Sequence, residues 1–154
     1  MIESIKNDML RIYDEIVENG QLREMGYPNH DIFQDRLKEI ATKYNLTYKT
    51  EYVGKRFFDI DKNKYKKGRI DIVYFKDNEP YIALEIDCGL KGTSIKKLIA
   101  NNDFKYRIWF CYNRKVNSEE YFNLIDRLDT KKELIYLTKN TWVKKSKRKV
   151  INDK

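Results

Sequence analysis

Apolar residues recur every three or four positions at the start of the chain: Ile2, Ile5, Met9, Ile12 and Ile16 predict an amphipathic helix over residues 1–18, stopped at Gly20. A polar stretch follows to Asn29, with Pro28 marking a turn. Phe33, Leu37, Ile40, Ala41 and Tyr44 then fall on one face of a second helix from about Asp31 to Tyr44. Beyond it the period changes to two. Leu46 to Arg56, rich in Tyr, Thr and Val, reads as a strand, and residues 59–68 as a basic loop. Arg69 to Phe75 and Pro80 to Asp87 are two strands joined by Lys76-Asp77-Asn78-Glu79, hence a hairpin. Gly92-Thr93-Ser94 opens a helix that ends near Asn102. Tyr106 to Tyr112 reads as a central strand, Ser118 caps a helix to Leu128, and Leu134 to Leu137 is a last short strand. The pattern is an α/β or α+β domain with a mixed sheet, a three-strand meander followed by a crossover helix to a fourth strand.

The hairpin places acids where they need a reason. Strand side chains alternate, so Asp71 shares a face with Val73 and Phe75, and Glu85 and Asp87 share one with Tyr81 and Ala83. A pivot near Asn78 sets Asp71 opposite Glu85, with Cβ atoms about 5 Å apart. Opposed carboxylates repel, and both strands carry large apolar residues on both faces, as in a sheet covered on both sides. A hard divalent cation held by oxygen ligands would relieve both the repulsion and the burial. The plain alternative is a wet sheet face whose acids point into water.

Composition narrows the chemistry. The 154 residues suit one domain, 1–154, with an N-terminal helix (1–20), a core (31–113) and a basic tail (139–154). Cys88 and Cys111 are too few for a disulfide framework and read as reduced thiols. A single histidine, His30, without any CxxC excludes the usual zinc sites, and no nucleophile elbow accompanies it, so it reads as a helix-start residue. Carboxylates and lysines remain as the catalytic groups. No apolar run suits a membrane helix, and the acid at Glu3 is unlike a signal peptide, so the expected place is the cytoplasm. The net charge of +8 is uneven: residues 43–69 hold nine Lys/Arg against three acids, and residues 139–154 seven against one. With aromatics among them, both zones fit a phosphate-tracking surface, or simply a lysine-rich one.

Asp71 on one strand and Glu85-Ile86-Asp87 on the next resemble the PD-(D/E)XK nuclease superfamily. The element order over residues 31–113 resembles its restriction-endonuclease-like core, α-β-β-β-α-β. The resemblance implies a metal-dependent DNA endonuclease of repair, junction-resolving or restriction type. In it Asp71, Glu85 and the Ile86 carbonyl would bind Mg2+ (or Mn2+). Asp87 stands where the superfamily usually has lysine, a Glu-x-Asp variant similar to very-short-patch repair endonucleases. Lys91 is then the candidate for the missing base, with Lys96 and Lys97 as alternatives, and Asp87 adds a ligand or accepts the proton of water. Gln34 or Asp35 on the first core helix would complete the metal shell. Lys62, Lys64, Lys66, Lys67 and Arg69, with Lys144, Lys145, Lys147 and Arg148 in the tail, would hold the DNA backbone. Double-strand cleavage would need a homodimer. The missing lysine also motivates a second reading, a catalytically inactive nucleic-acid-binding subunit of the same fold.

Overall fold

The computed structural model describes residues 1–19, 26–112 and 117–138, with the backbone alone at 26–29. Its elements run α1 (Ile2–Glu18), α2 (Gly26–Leu37), α3 (Glu39–Tyr44), β1 (Thr47–Asp59), β2 (Lys64–Lys76), β3 (Glu79–Asp87), α4 (Gly92–Ala100), β4 (Tyr106–Cys111), α5 (Ser118–Leu128) and β5 (Ile135–Thr138). The architecture is α+β. Five strands form one mixed sheet in the order β1-β2-β3-β4-β5, antiparallel as far as β3 and parallel from β3 to β5. Among the described residues no helix is long and apolar enough to cross a membrane.

Both faces of the sheet are covered, as the doubly apolar strands require. On one side Ile72, Tyr74, Ile82, Leu84, Ile108 and Phe110 pack against the apolar stripe of α1 and against Phe33, Leu37 and Ile40 of α2 and α3. On the other, Val73, Ala83, Trp109 and Tyr136 meet Ile95 and Leu98 of α4 and Tyr121, Phe122 and Ile125 of α5. Cys111 is buried there and Cys88 is half-buried, and neither is in a disulfide.

Several boundaries differ from the sequence expectation. The second helix begins at Gly26 rather than Asp31, so Pro28 lies in its first turn, where a missing N–H costs little. It also divides at Lys38, where the buried Tyr74 hydroxyl donates to the Leu37 carbonyl at 2.6 Å. Asn45, in the left-handed region (φ 57°), then ends α3. The helix after β4 is capped by Asn117, whose side chain accepts from Glu120 N–H at 3.0 Å, and not by Ser118.

The largest correction concerns residues 59–68. They are not a loop: β1 and β2 continue as a two-stranded ribbon whose turn is only residues 60–63, with Asn63 at φ 49°. Phe57, Phe58 and Tyr65 supply the strand preference that the surrounding Lys, Asp and Asn residues disguise. A bulge between Val53 and Arg56 bends the ribbon, and it leans on α4. There Gly54 lies against Asn101, whose Oδ1 accepts from Lys55 N–H at 3.0 Å, and Gly68 lies against Lys97.

Candidate active site

The β2–β3 hairpin turns on Asp77 and Asn78, both with positive φ, as a two-residue turn between twisted strands requires. Pairing of Ile72 with Leu84 and Val73 with Ala83 is the register that sets Asp71 opposite Glu85. One irregularity near the turn moves Tyr81 off the face it was expected to share with Ala83, into the α1 side of the core.

Asp71 and Glu85 hold each other through the backbone. The Asp71 N–H donates to Glu85 Oε2 at 3.0 Å, and the Ile86 N–H donates to Asp71 Oδ2 at 2.7 Å. Regular alternation breaks at this point of β2. Ile70 packs on the α4 side of the sheet and Ile72 on the α1 side, while Glu51, on the neighbouring strand, takes a left-handed backbone (φ 49°). Asp71 therefore sits between the two layers, reached by α2 directly, while α4 reaches its partner Glu85.

From α2, His30 Nε2 lies 3.2 Å from Asp71 Oδ1, and Gln34 Nε2 donates to the Asp71 carbonyl and to Glu51 Oε2, each at 2.9 Å. Of the two first-helix candidates, Gln34 faces the site, whereas Asp35 points to solvent beside Lys38. His30 lies inside α2 rather than at its start. From α4, the Lys97 ammonium reaches Glu85 Oε1 and also donates to the Arg69 carbonyl at 2.8 Å. The three lysines thus separate. Lys91 is the exposed residue before α4, its charge felt by Asp87; Lys96 binds Asp59 and Asp61 at 2.6 and 2.5 Å; Lys97 meets the carboxylate pair.

Asp87 lies one step along β3, where its Oδ2 accepts from Trp109 Nε1 at 2.8 Å and Ser94 also bonds the carboxylate. Ser94, Lys97 and Asn101, spaced at helical intervals, bring one flank of α4 to Asp87, Glu85 and the ribbon in turn. Among the described residues no three of His, Cys, Asp and Glu come together as a metal-holding group. The carboxylates that meet are two, Asp71 and Glu85.

The electrostatics separate these two. Glu85 is only 1% exposed; burial, and then the Asp71 charge beside it, push its carboxyl well above the ordinary range. Asp71, although partly buried, is held low by His30, by the Glu85 carboxyl and by the Ile86 N–H. Of the two carboxyls Glu85 is therefore the one that takes up a proton first, although the Lys97 ammonium beside it pulls the other way. Burial likewise raises Asp87, and Asp71 raises the proton affinity of His30.

The basic residues expected on DNA also separate. Lys66 is turned inward onto the buried Asp59 at 3.2 Å, while Lys62, Lys64, Lys67 and Arg69 are exposed on the ribbon. Lys144, Lys145, Lys147 and Arg148 lie outside the described residues. Ser94, Trp109 and the role of His30 escape the sequence, because each reaches the site from another element; only the Ser94–Lys97–Asn101 spacing signals it. Comparison of the chain with protein-family models, curated proteins and solved structures finds no match.

Proposed function

We propose that the chain is a metal-dependent endonuclease that hydrolyses DNA phosphodiester bonds on a restriction-endonuclease-like core. The observation that carries this reading is the Asp71–Glu85 pair: two facing carboxylates, the first partly and the second fully buried, with a lysine ammonium against the second. Each carboxylate opposes the charge of the other, a repulsion that a cation relieves, so the donor set fits a hard divalent ion. Asp71, Glu85 and the Ile86 carbonyl would hold Mg2+ or Mn2+. The Asp87 carbonyl accepts from Tyr112 N–H on the β4 side, so strand alternation turns the Ile86 carbonyl towards Asp71. Bound there, the ion would polarise the scissile phosphate and acidify water.

The chain's own groups supply the rest. Lys97, which meets Glu85, is the lysine we assign to the reacting phosphate in preference to Lys91, and its charge there would offset the negative charge of the transition state. His30 and Gln34 fix the orientation of Asp71. Asp87, with raised proton affinity and Lys91 nearby, is placed to take up a proton one residue beyond the ligands.

Plasmid nicking tests the reading. The wild type should nick with Mg2+ or Mn2+ and not with EDTA. Asp71→Asn should lower the rate about a hundredfold or more, with DNA affinity kept. Metal-independent nicking, or full activity in Asp71→Asn, would end this reading. One observation favours the inactive-subunit alternative: Lys97 already sets a positive charge against Glu85 without a metal. DNA binding that weakens with salt, with no nicking under any metal, is its signature.

A further inference from the structure

The ribbon has two unlike faces. Inward, Tyr52, Gly54, Phe57, Asp59, Lys66, Gly68 and Ile70 are buried or half-buried. Outward, the cross-strand pairs Phe58/Tyr65, Arg56/Lys67 and Val53/Arg69 are all exposed. Three cations, two rings and one valine make up this surface, and no carboxylate. Among the described residues Lys67 and Arg69 meet no acid within ion-pair distance, and Arg56 instead covers the Tyr65 ring at 5.2 Å. Phe58 and Tyr65 stand edge to face with centroids 5.2 Å apart, 45% and 64% exposed, and Ile60 at the tip is 69% exposed. Exposed rings and aliphatics on a surface without acids are costly to leave in water and are complementary to a polyanion.

Resting on the DNA reading above, we propose that this outer face docks a single DNA strand where it leaves a duplex, with Arg56, Lys67 and Arg69 on phosphates and the Phe58/Tyr65 rung stacking on an unpaired base. An intact duplex offers ring-shaped residues no base face; a flap, overhang or junction does. The surface is continuous with the carboxylates, because the rungs Tyr65, Lys67 and Arg69 lead along β2 to Asp71.

The spacing also sets a length. Six residues of strand separate Tyr65 from Asp71, about 20 Å at the rise of a β-strand, which matches about six nucleotides at the per-strand spacing of DNA. A cut should fall about that far from the unpaired base.

Fluorescence anisotropy in EDTA, where no cutting occurs, compares a blunt duplex with the same duplex carrying a single-stranded flap. The wild type should prefer the flap. Combined Phe58→Ala and Tyr65→Ala should weaken flap binding about tenfold or more and leave blunt-duplex binding unchanged, while Tyr65→Phe keeps the preference. A melting curve checks that the double variant folds; if it does not, Tyr65→Ala alone reads the same loss. Equal affinity for the two DNAs, or a preference that survives the double variant, would overturn the proposal. Absence of nicking would instead sink the endonuclease and leave a measured flap preference standing.

Discussion

At position 68 any side chain would meet Lys97: a Cβ there falls 2.4 Å from the lysine Cδ. The atom in the way belongs to a flexible chain, so the lysine and not the ribbon would move. Its ammonium would then leave Glu85 and the Arg69 carbonyl. Gly68→Ala should therefore keep the fold, with stability changed by less than about 1 kcal/mol, yet lose nicking as Lys97→Ala does. Thermal melting and turnover measured side by side separate a positioning role from a structural one; full turnover in Gly68→Ala would show that Lys97 is free to work from elsewhere. The sequence carries part of this site. Asp71 and Glu85 were legible because two local signals, the Asp77-Asn78 turn and strand alternation, fix which residues oppose. Lys97 was not distinguishable from Lys91 or Lys96, because the choice depends on how α4 crosses β3 and on the gap left by Gly68. His30 is not legible as a site residue, because its partner Asp71 lies on a strand far along the chain.

The ribbon and α4 form the element-scale device that carries both the lysine and the basic surface. Asn101, nearly fully buried, ties them: its Oδ1 takes the Lys55 N–H and its Nδ2 donates to the Lys97 carbonyl at 2.8 Å. Further along, Asp59 is buried against Lys96 and Lys66, and Asp61 meets Lys96 and Arg127. Asn101→Ala would leave the Lys55 N–H without a protein partner, at about 1–2 kcal/mol. Amide hydrogen exchange should then quicken over residues 53–69 while β3 and β4 stay protected; unchanged exchange in the ribbon would mean that the Asp59–Lys96 contact anchors it alone. This device was the least legible part of the fold. Residues 59–68 are Lys, Asn, Asp and Gly by majority, a loop composition, and only pairing with the rest of β1 reveals the strand. Helix positions, ends included, are legible wherever an apolar stripe faces the sheet, as in α1 and α5, whereas the start of α2 at Gly26 and its break at Lys38, where Tyr74 bonds Leu37, are not.

Across the whole molecule, the site makes folding depend on pH in a definite direction. Burial pushes Glu85 well above its ordinary value of 4.5 and raises Asp87 above 3.8, while hydrogen bonding to Asp71 raises His30 above 6.5. In each case the folded chain binds the proton more tightly than the unfolded one. Their stabilisation is complete below the unfolded values and is lost as pH rises through the folded ones. Asp71, held low, adds stability above 3.8 and loses it only in stronger acid. Without metal, the melting temperature should therefore fall as pH rises from weakly acidic to alkaline. The net charge of +8 opposes this slope, because self-repulsion eases as positive charge is lost. A comparison that keeps that background constant is Glu85→Gln, which retains an oxygen for the Asp71 N–H but cannot hold or release the proton; its melting temperature should fall less steeply with pH. If a divalent ion replaces that proton, Mg2+ or Mn2+ should raise the wild-type melting temperature more in alkali than in weak acid. Asp71→Asn should remove the rise. A metal-induced shift of equal size at both pH values, or one that persists in Asp71→Asn, would place the ion away from this pair.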